Sequence, residues 1–157
     1  MDILEYAIKM ELDGEKFYLD LALENRDNSL HTVFLSLAHD EANHAQIIRK
    51  KKEGVKAAFT EAEANVKNVF SDPAGFKFGK SNPGQVDAYR EALKKEQESI
   101  DLYKKLMSES EEGDRELFSF LIEQEKEHYR LLEEIIRMVN RPNEWVESAE
   151  FGIREEY

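Results

Sequence analysis

The feature that most constrains this chain is a repeat of acidic residues and histidine inside otherwise apolar helical stripes. Glu11 is followed seven residues later by Tyr18, and Glu96 seven residues later by Tyr103. Glu41-Ala-Asn-His44 lies 30 residues after Glu11, and Glu125-Lys-Glu-His128 lies 29 residues after Glu96. The lead-ins agree as well, with Phe34 and Leu37 matching Phe118 and Leu121 once the halves are shifted by about 85 residues. Residues i and i+3 share one face of a helix, so Glu41 projects with His44 and Glu125 with His128.

Four segments carry the 3.6-residue apolar period. The first, from about Asp2 to Asn25, places Leu4, Ala7, Ile8, Glu11, Tyr18, Leu21 and Ala22 on one stripe. The turn Arg26-Asp27-Asn28-Ser29 ends it, and Asn28 or Ser29 can cap the second helix, which runs to about Lys52. The second stripe holds Val33, Phe34, Leu37, Glu41, His44, Ala45 and Ile48. Asn82-Pro83 is a start signal for the third helix, with stripe Tyr89, Ala92, Leu93, Glu96, Ile100, Tyr103, Leu106 and Met107. Gly113-Asp114 opens the fourth, with Phe118, Leu121, Ile122, Glu125, His128, Leu132, Ile135 and Val139, and Asn140-Arg141-Pro142 is expected to close it. Tight turns make each hairpin antiparallel. The roughly 30 residues from Glu53 to Asn82 can travel the length of the bundle and leave helices 2 and 3 parallel. The expected fold is therefore all-α: a ferritin-like antiparallel four-helix bundle over 1–141 with one long crossover. A C-terminal tail, 142–157, would use Trp145, Phe151 and Tyr157 to pack on the bundle or on a partner subunit.

A carboxylate on each of four core stripes cannot stand alone. Four ionised carboxylates in an apolar interior repel, and each costs several kcal/mol to desolvate. Two divalent cations supply the missing positive charge, and four Glu with two His give each ion a mixed oxygen–nitrogen shell suited to iron or manganese. The candidate metal ligands are Glu11, Glu41, His44, Glu96, Glu125 and His128. Helical side chains lean toward the N-terminus, so Tyr18 and Tyr103 can aim their hydroxyls at these carboxylates. The same eight residues form the candidate catalytic set. His31 and His39 lie off the ligand faces and are expected to be solvated. The run Arg49-Lys50-Lys51-Lys52 falls in a last helical turn, where cations offset the dipole.

The pattern Glu11 with Tyr18, Glu41-x-x-His44, Glu96 with Tyr103 and Glu125-x-x-His128 resembles the rubrerythrin branch of the ferritin-like di-iron carboxylate family, nearly as far as Arg141. The resemblance implies that Glu41 and Glu125 bridge two metals, that Glu11 and Glu96 are terminal ligands, and that each histidine gives one nitrogen. It also implies two iron ions, reduction of hydrogen peroxide or oxygen, and a homodimer. Two departures stand out. Members of that branch carry a further ligand Glu three residues after the terminal Glu of the third helix, where this chain has Ser99. They also carry a rubredoxin domain whose iron is held by cysteines alone, and this chain has no cysteine. A separate electron-donor protein is the consequence. Iron oxidation and storage, a manganese catalase-like activity and a purely structural bundle are the alternatives.

Composition narrows the partners. A net charge of −12 repels phosphate, which disfavours nucleic acid and anionic membranes. The N-terminus has neither a basic nor an apolar signal-like region, and no apolar run approaches the ~20 residues of a membrane helix. A cytoplasmic location is expected.

Overall fold

The computed structural model describes residues 2–54 and 85–150, with side chains described as far as residue 140. It contains four helices: α1 (Ile3–Glu24), α2 (Leu30–Lys52), α3 (Val86–Ser108) and α4 (Glu112–Glu150), with no strand among the described residues. The crossover, together with the Asn82-Pro83 start signal, lies outside the described residues. So do Phe151 and Tyr157 and the side chain of Trp145.

Local chemistry sets the helix ends. Asp2 caps α1 by accepting from the Glu5 backbone N–H at 2.9 Å. Ser29 occupies the cap position of α2 but its side chain makes no capping bond; Asn28 Oδ1 accepts from Leu30 N–H at 2.8 Å instead. His31 differs from the expectation of solvation. It is half-buried, with Nδ1 2.8 Å from the Ala22 carbonyl, because the tight turn brings the last turn of α1 against the first of α2. His39 is exposed as expected. In the basic run, Lys52 reaches Glu5 at 3.1 Å and Lys51 reaches Asp114 at 2.8 Å, tying the end of α2 to the starts of α1 and α4.

The fourth helix does not stop at Asn140-Arg141-Pro142. It continues to Glu150, for 39 residues in all. Proline removes one backbone donor, but its fixed φ is compatible with a helix. The Glu- and Ala-containing sequence beyond it is able to resume the backbone pattern.

Every stripe residue named above is buried except Leu4, Ile8, Leu93 and Met107, which are half-buried. Contacts across the bundle give the directions. Asn25 donates to Gln85 at 3.0 Å and Tyr18 to Glu96 at 2.9 Å, while Tyr103 bonds Glu11, so α1 and α3 are antiparallel. Because α2 is also antiparallel to α1, α2 and α3 run parallel, as a long crossover requires. The apolar core falls into two clusters. One contains Leu21, Phe34, Leu37, Tyr89, Leu132 and Ile135; the other contains Ala7, Ile48, Ile100, Leu117, Phe118 and Leu121. The Glu/His residues occupy the layer between them. Among the described residues, no helix is long and apolar enough to cross a membrane.

Candidate metal centre

Each helix contributes to the polar layer because each stripe is interrupted at the same height. Glu11 (α1), Glu41 and His44 (α2), Glu96 (α3), and Glu125 and His128 (α4) are all at most 3% exposed. They fall into two overlapping groups, Glu11-Glu41-His44-Glu125 and Glu41-Glu96-Glu125-His128, whose ligand atoms lie within 4.8 Å of one another in each group. Glu41 and Glu125 belong to both. All six residues singled out from the sequence are thus brought together.

Both tyrosines reach the site, and they do so crosswise. Tyr18 of α1 donates to Glu96 Oε2 of α3 at 2.9 Å, and Tyr103 of α3 donates to Glu11 Oε2 of α1. Burial pushes both phenols well above their usual range, and the charges of Glu96 and Glu11 push further, so both remain protonated donors.

The histidines are oriented from both ring nitrogens. His44 Nδ1 lies 3.2 Å from Glu11 Oε1, and His128 Nδ1 lies 2.9 Å from Glu96 Oε2. On the far side, His44 Nε2 lies 3.2 Å from Gln124 Oε1, and His128 Nε2 lies 3.0 Å from Asp40 Oδ2. An Nε2 hydrogen donated to those oxygens leaves Nδ1 facing the carboxylates, the arrangement a ligating imidazole needs. Asp40 and Gln124 were not among the candidates read from sequence. The signal was present, since each immediately precedes the shared Glu of its half.

Ser99 turns away from the cluster, its hydroxyl donating to the Lys95 carbonyl at 3.1 Å. Its counterpart in the first half is Gly14, three residues after Glu11. A Cβ at Gly14 would lie 3.3 Å from Glu41 Cδ. The small residue therefore lets α1 pass close over a shared carboxylate. Between α1 and α3 a cavity of about 400 Å³ is lined by Gly14, Tyr18, Glu41, Glu96 and Ser99.

The electrostatics of the protein alone are those of a charge deficit. Burial raises Glu41 well above the carboxylate range, reinforced by the charges of Glu11, Glu125 and Glu96. Burial likewise raises Glu125, with Glu11 and Glu96 adding to it against the pull of His44. Burial also works against ionisation of Glu11, but hydrogen bonding from Glu41, the charge and hydrogen bond of His44, and Tyr103 outweigh it and hold Glu11 at about 2. Burial disfavours charged imidazole, yet Glu11 with Glu125 raises His44, and Glu96 with Asp40 raises His128, well above the usual histidine range. Protons thus stand where cations are lacking. Both oxygens of Glu125 are buried and accept no hydrogen bond among the described residues. Its nearest donors, Nδ1 of His44 and of His128, stand 3.4 Å from Oε1, and a carboxylate so weakly satisfied is costly to bury; a cation between it and Glu41 removes that cost. The donor set fits two ions of the iron or manganese kind.

No curated protein and no solved structure matches this chain. The rubrerythrin family model matches it over residues 2–136. That span includes all four Glu, both His and both Tyr of the site, on a helical bundle that holds them in a buried, metal-binding type of cluster. The chain belongs to the rubrerythrin family.

Proposed function

We propose that this chain is a non-haem di-iron oxidoreductase that reduces hydrogen peroxide or oxygen with electrons from a separate donor protein. The observation that carries the reading is the pair of overlapping, fully buried Glu/Glu/Glu/His groups that share Glu41 and Glu125. When bound, two ferrous ions supply two electrons and Lewis acidity, enough to take one peroxide with two protons to two waters. Glu41 and Glu125, common to both groups, would serve both ions; Glu11 with His44 would hold one and Glu96 with His128 the other, each histidine offering Nδ1.

The remaining residues serve that site. Tyr18 and Tyr103 fix the terminal carboxylates by hydrogen bonds. Asp40 and Gln124 fix the imidazole tautomers. The two apolar clusters exclude water from above and below, and the cavity between α1 and α3 admits a reactant small enough to pass Gly14 and Ser99. Tyr18 lines that cavity with its hydroxyl hydrogen held by Glu96, so it shapes the approach and keeps that carboxylate in place. We place the protein in the cytoplasm as a homodimer, with the exposed Leu12, Leu19 and Leu23 of α1 as an apolar row for contact.

The test is metal content per chain by mass spectrometry, on protein purified anaerobically, for wild type and a Glu41→Ala/Glu125→Ala variant. Expected are about two iron ions per chain, lost in the variant, and peroxide consumed by the reduced wild type alone. Less than half an ion per chain, unchanged in the variant, overturns the site. Two ions with no peroxide or oxygen consumption overturns the activity, and a cage-sized native particle points to iron storage.

A further inference from the structure

The internal repeat makes the two halves of the site look interchangeable, but two independent observations separate them. The first is access. Of the site residues, Tyr18, Glu41 and Glu96 line the cavity between α1 and α3; Glu11 and Tyr103, their counterparts in the repeat, do not, and neither histidine nor Glu125 reaches it. Of the two terminal carboxylates the cavity therefore reaches Glu96 and not Glu11, and the side chain at 99 beside it is only a hydroxymethyl group bonded to its own helix.

The second is the group behind each imidazole. His128 Nε2 faces a carboxylate oxygen of Asp40 at 3.0 Å, whereas His44 Nε2 faces the amide oxygen of Gln124 at 3.2 Å. Asp40 and Gln124 are 5% and 4% exposed, so neither contact is diluted by water. A carboxylate draws the Nε2 hydrogen more strongly than an amide and makes Nδ1 the better electron donor. The same place in the repeat thus holds two chemically different groups.

We infer that the two ion positions are unequal: the Glu96–His128 position fills first and is the one that binds an incoming small molecule, with Asp40 as the positioning residue that sets it apart. This rests on the two-ion reading of the site. It adds a direction to it, since a reactant arriving through the cavity meets one ion position and not the pair symmetrically.

Cobalt(II) titrated into the metal-free full-length chain tests this through the hyperfine-shifted Nε2–H proton resonances of the bound histidines. Each is assigned by its absence from a His44→Gln or His128→Gln variant. At one cobalt per chain, the His128 resonance is expected to exceed that of His44 several-fold. Azide added to the two-cobalt protein is expected to shift the His128 resonance and leave that of His44 in place. Asp40→Asn is expected to reduce the preference by about tenfold; a merely structural role for Asp40 would lower thermal stability without changing the filling ratio. Equal filling, or azide moving both resonances or that of His44 alone, overturns the inference while leaving the two-ion site intact. Failure to bind two cobalt ions overturns the site reading, and the inference with it.

Discussion

Tyr18 of α1 donates its hydroxyl hydrogen to Glu96 of α3 at 2.9 Å, and Tyr103 of α3 donates in the opposite direction to Glu11 of α1. Each half's tyrosine therefore holds the other half's carboxylate. The two hairpins are pinned together at the site by the same bonds that aim the ligands.

Removing one of those hydroxyls leaves a buried carboxylate oxygen with one donor fewer. Tyr18→Phe is expected to destabilise the metal-free protein by about 1–3 kcal/mol, read as a lower urea midpoint with an unchanged slope. Tyr103→Phe is expected to do the same through Glu11. A variant as stable as wild type would show that Glu96 finds an equivalent donor elsewhere.

The proton inventory of the site makes the metal-free and loaded proteins respond oppositely to pH. Glu41 and Glu125 bind protons more tightly folded than their ordinary 4.5, and His44 and His128 more tightly than 6.5. Stability from the two Glu is present below the ordinary carboxylate range and is lost as pH rises through their raised values. That from the two His is full below 6.5 and is lost in the same direction. Glu11 works the other way, contributing above 4.5 and losing its contribution as pH falls toward about 2. The metal-free protein is thus expected to melt higher at about pH 6 than at about pH 8.5. Ion binding displaces protons held by these Glu and His groups, so a pH-stat records their release and metal affinity rises with pH. Higher melting of the metal-free form at the alkaline end would contradict the inventory.

Gly14 offers a variant in which stability and binding separate. Gly14→Ala improves helix propensity by up to about 1 kcal/mol. Its new methyl meets Glu41 Cδ at 3.3 Å, a contact relieved by moving that flexible carboxylate a few tenths of an ångström. The expected outcome is a higher urea midpoint without metal and weaker ion binding in chelator competition. Gains in both would mean that Glu41 has slack at the site.

Much of the site was legible because charge in an apolar stripe is so costly. The burial of Glu11, Glu41, Glu96 and Glu125 follows from their place in the 3.6-residue period, and the repeat identified which of 34 acidic residues to consider. What was not legible depends on geometry across helices. Asp40 reads as a surface residue until α4 brings His128 against it, and Gln124 likewise until α2 brings His44. His31 reads as solvated until the turn folds it onto Ala22. At Pro142 the local rule against proline in helices favoured a stop, whereas the lost donor is one bond in a 39-residue helix.

The division of the core into two clusters has a consequence for unfolding as a whole. The layer that joins them contains the Glu/His site, whose side chains repel one another unless a cation or protons intervene. Stripped of ions at alkaline pH, the bundle becomes two short oily segments in series with a weak waist. Its ends can then melt separately, with a calorimetric enthalpy exceeding the van't Hoff value. With ions in place the waist becomes the strongest joint, and the chain melts as one cooperative unit.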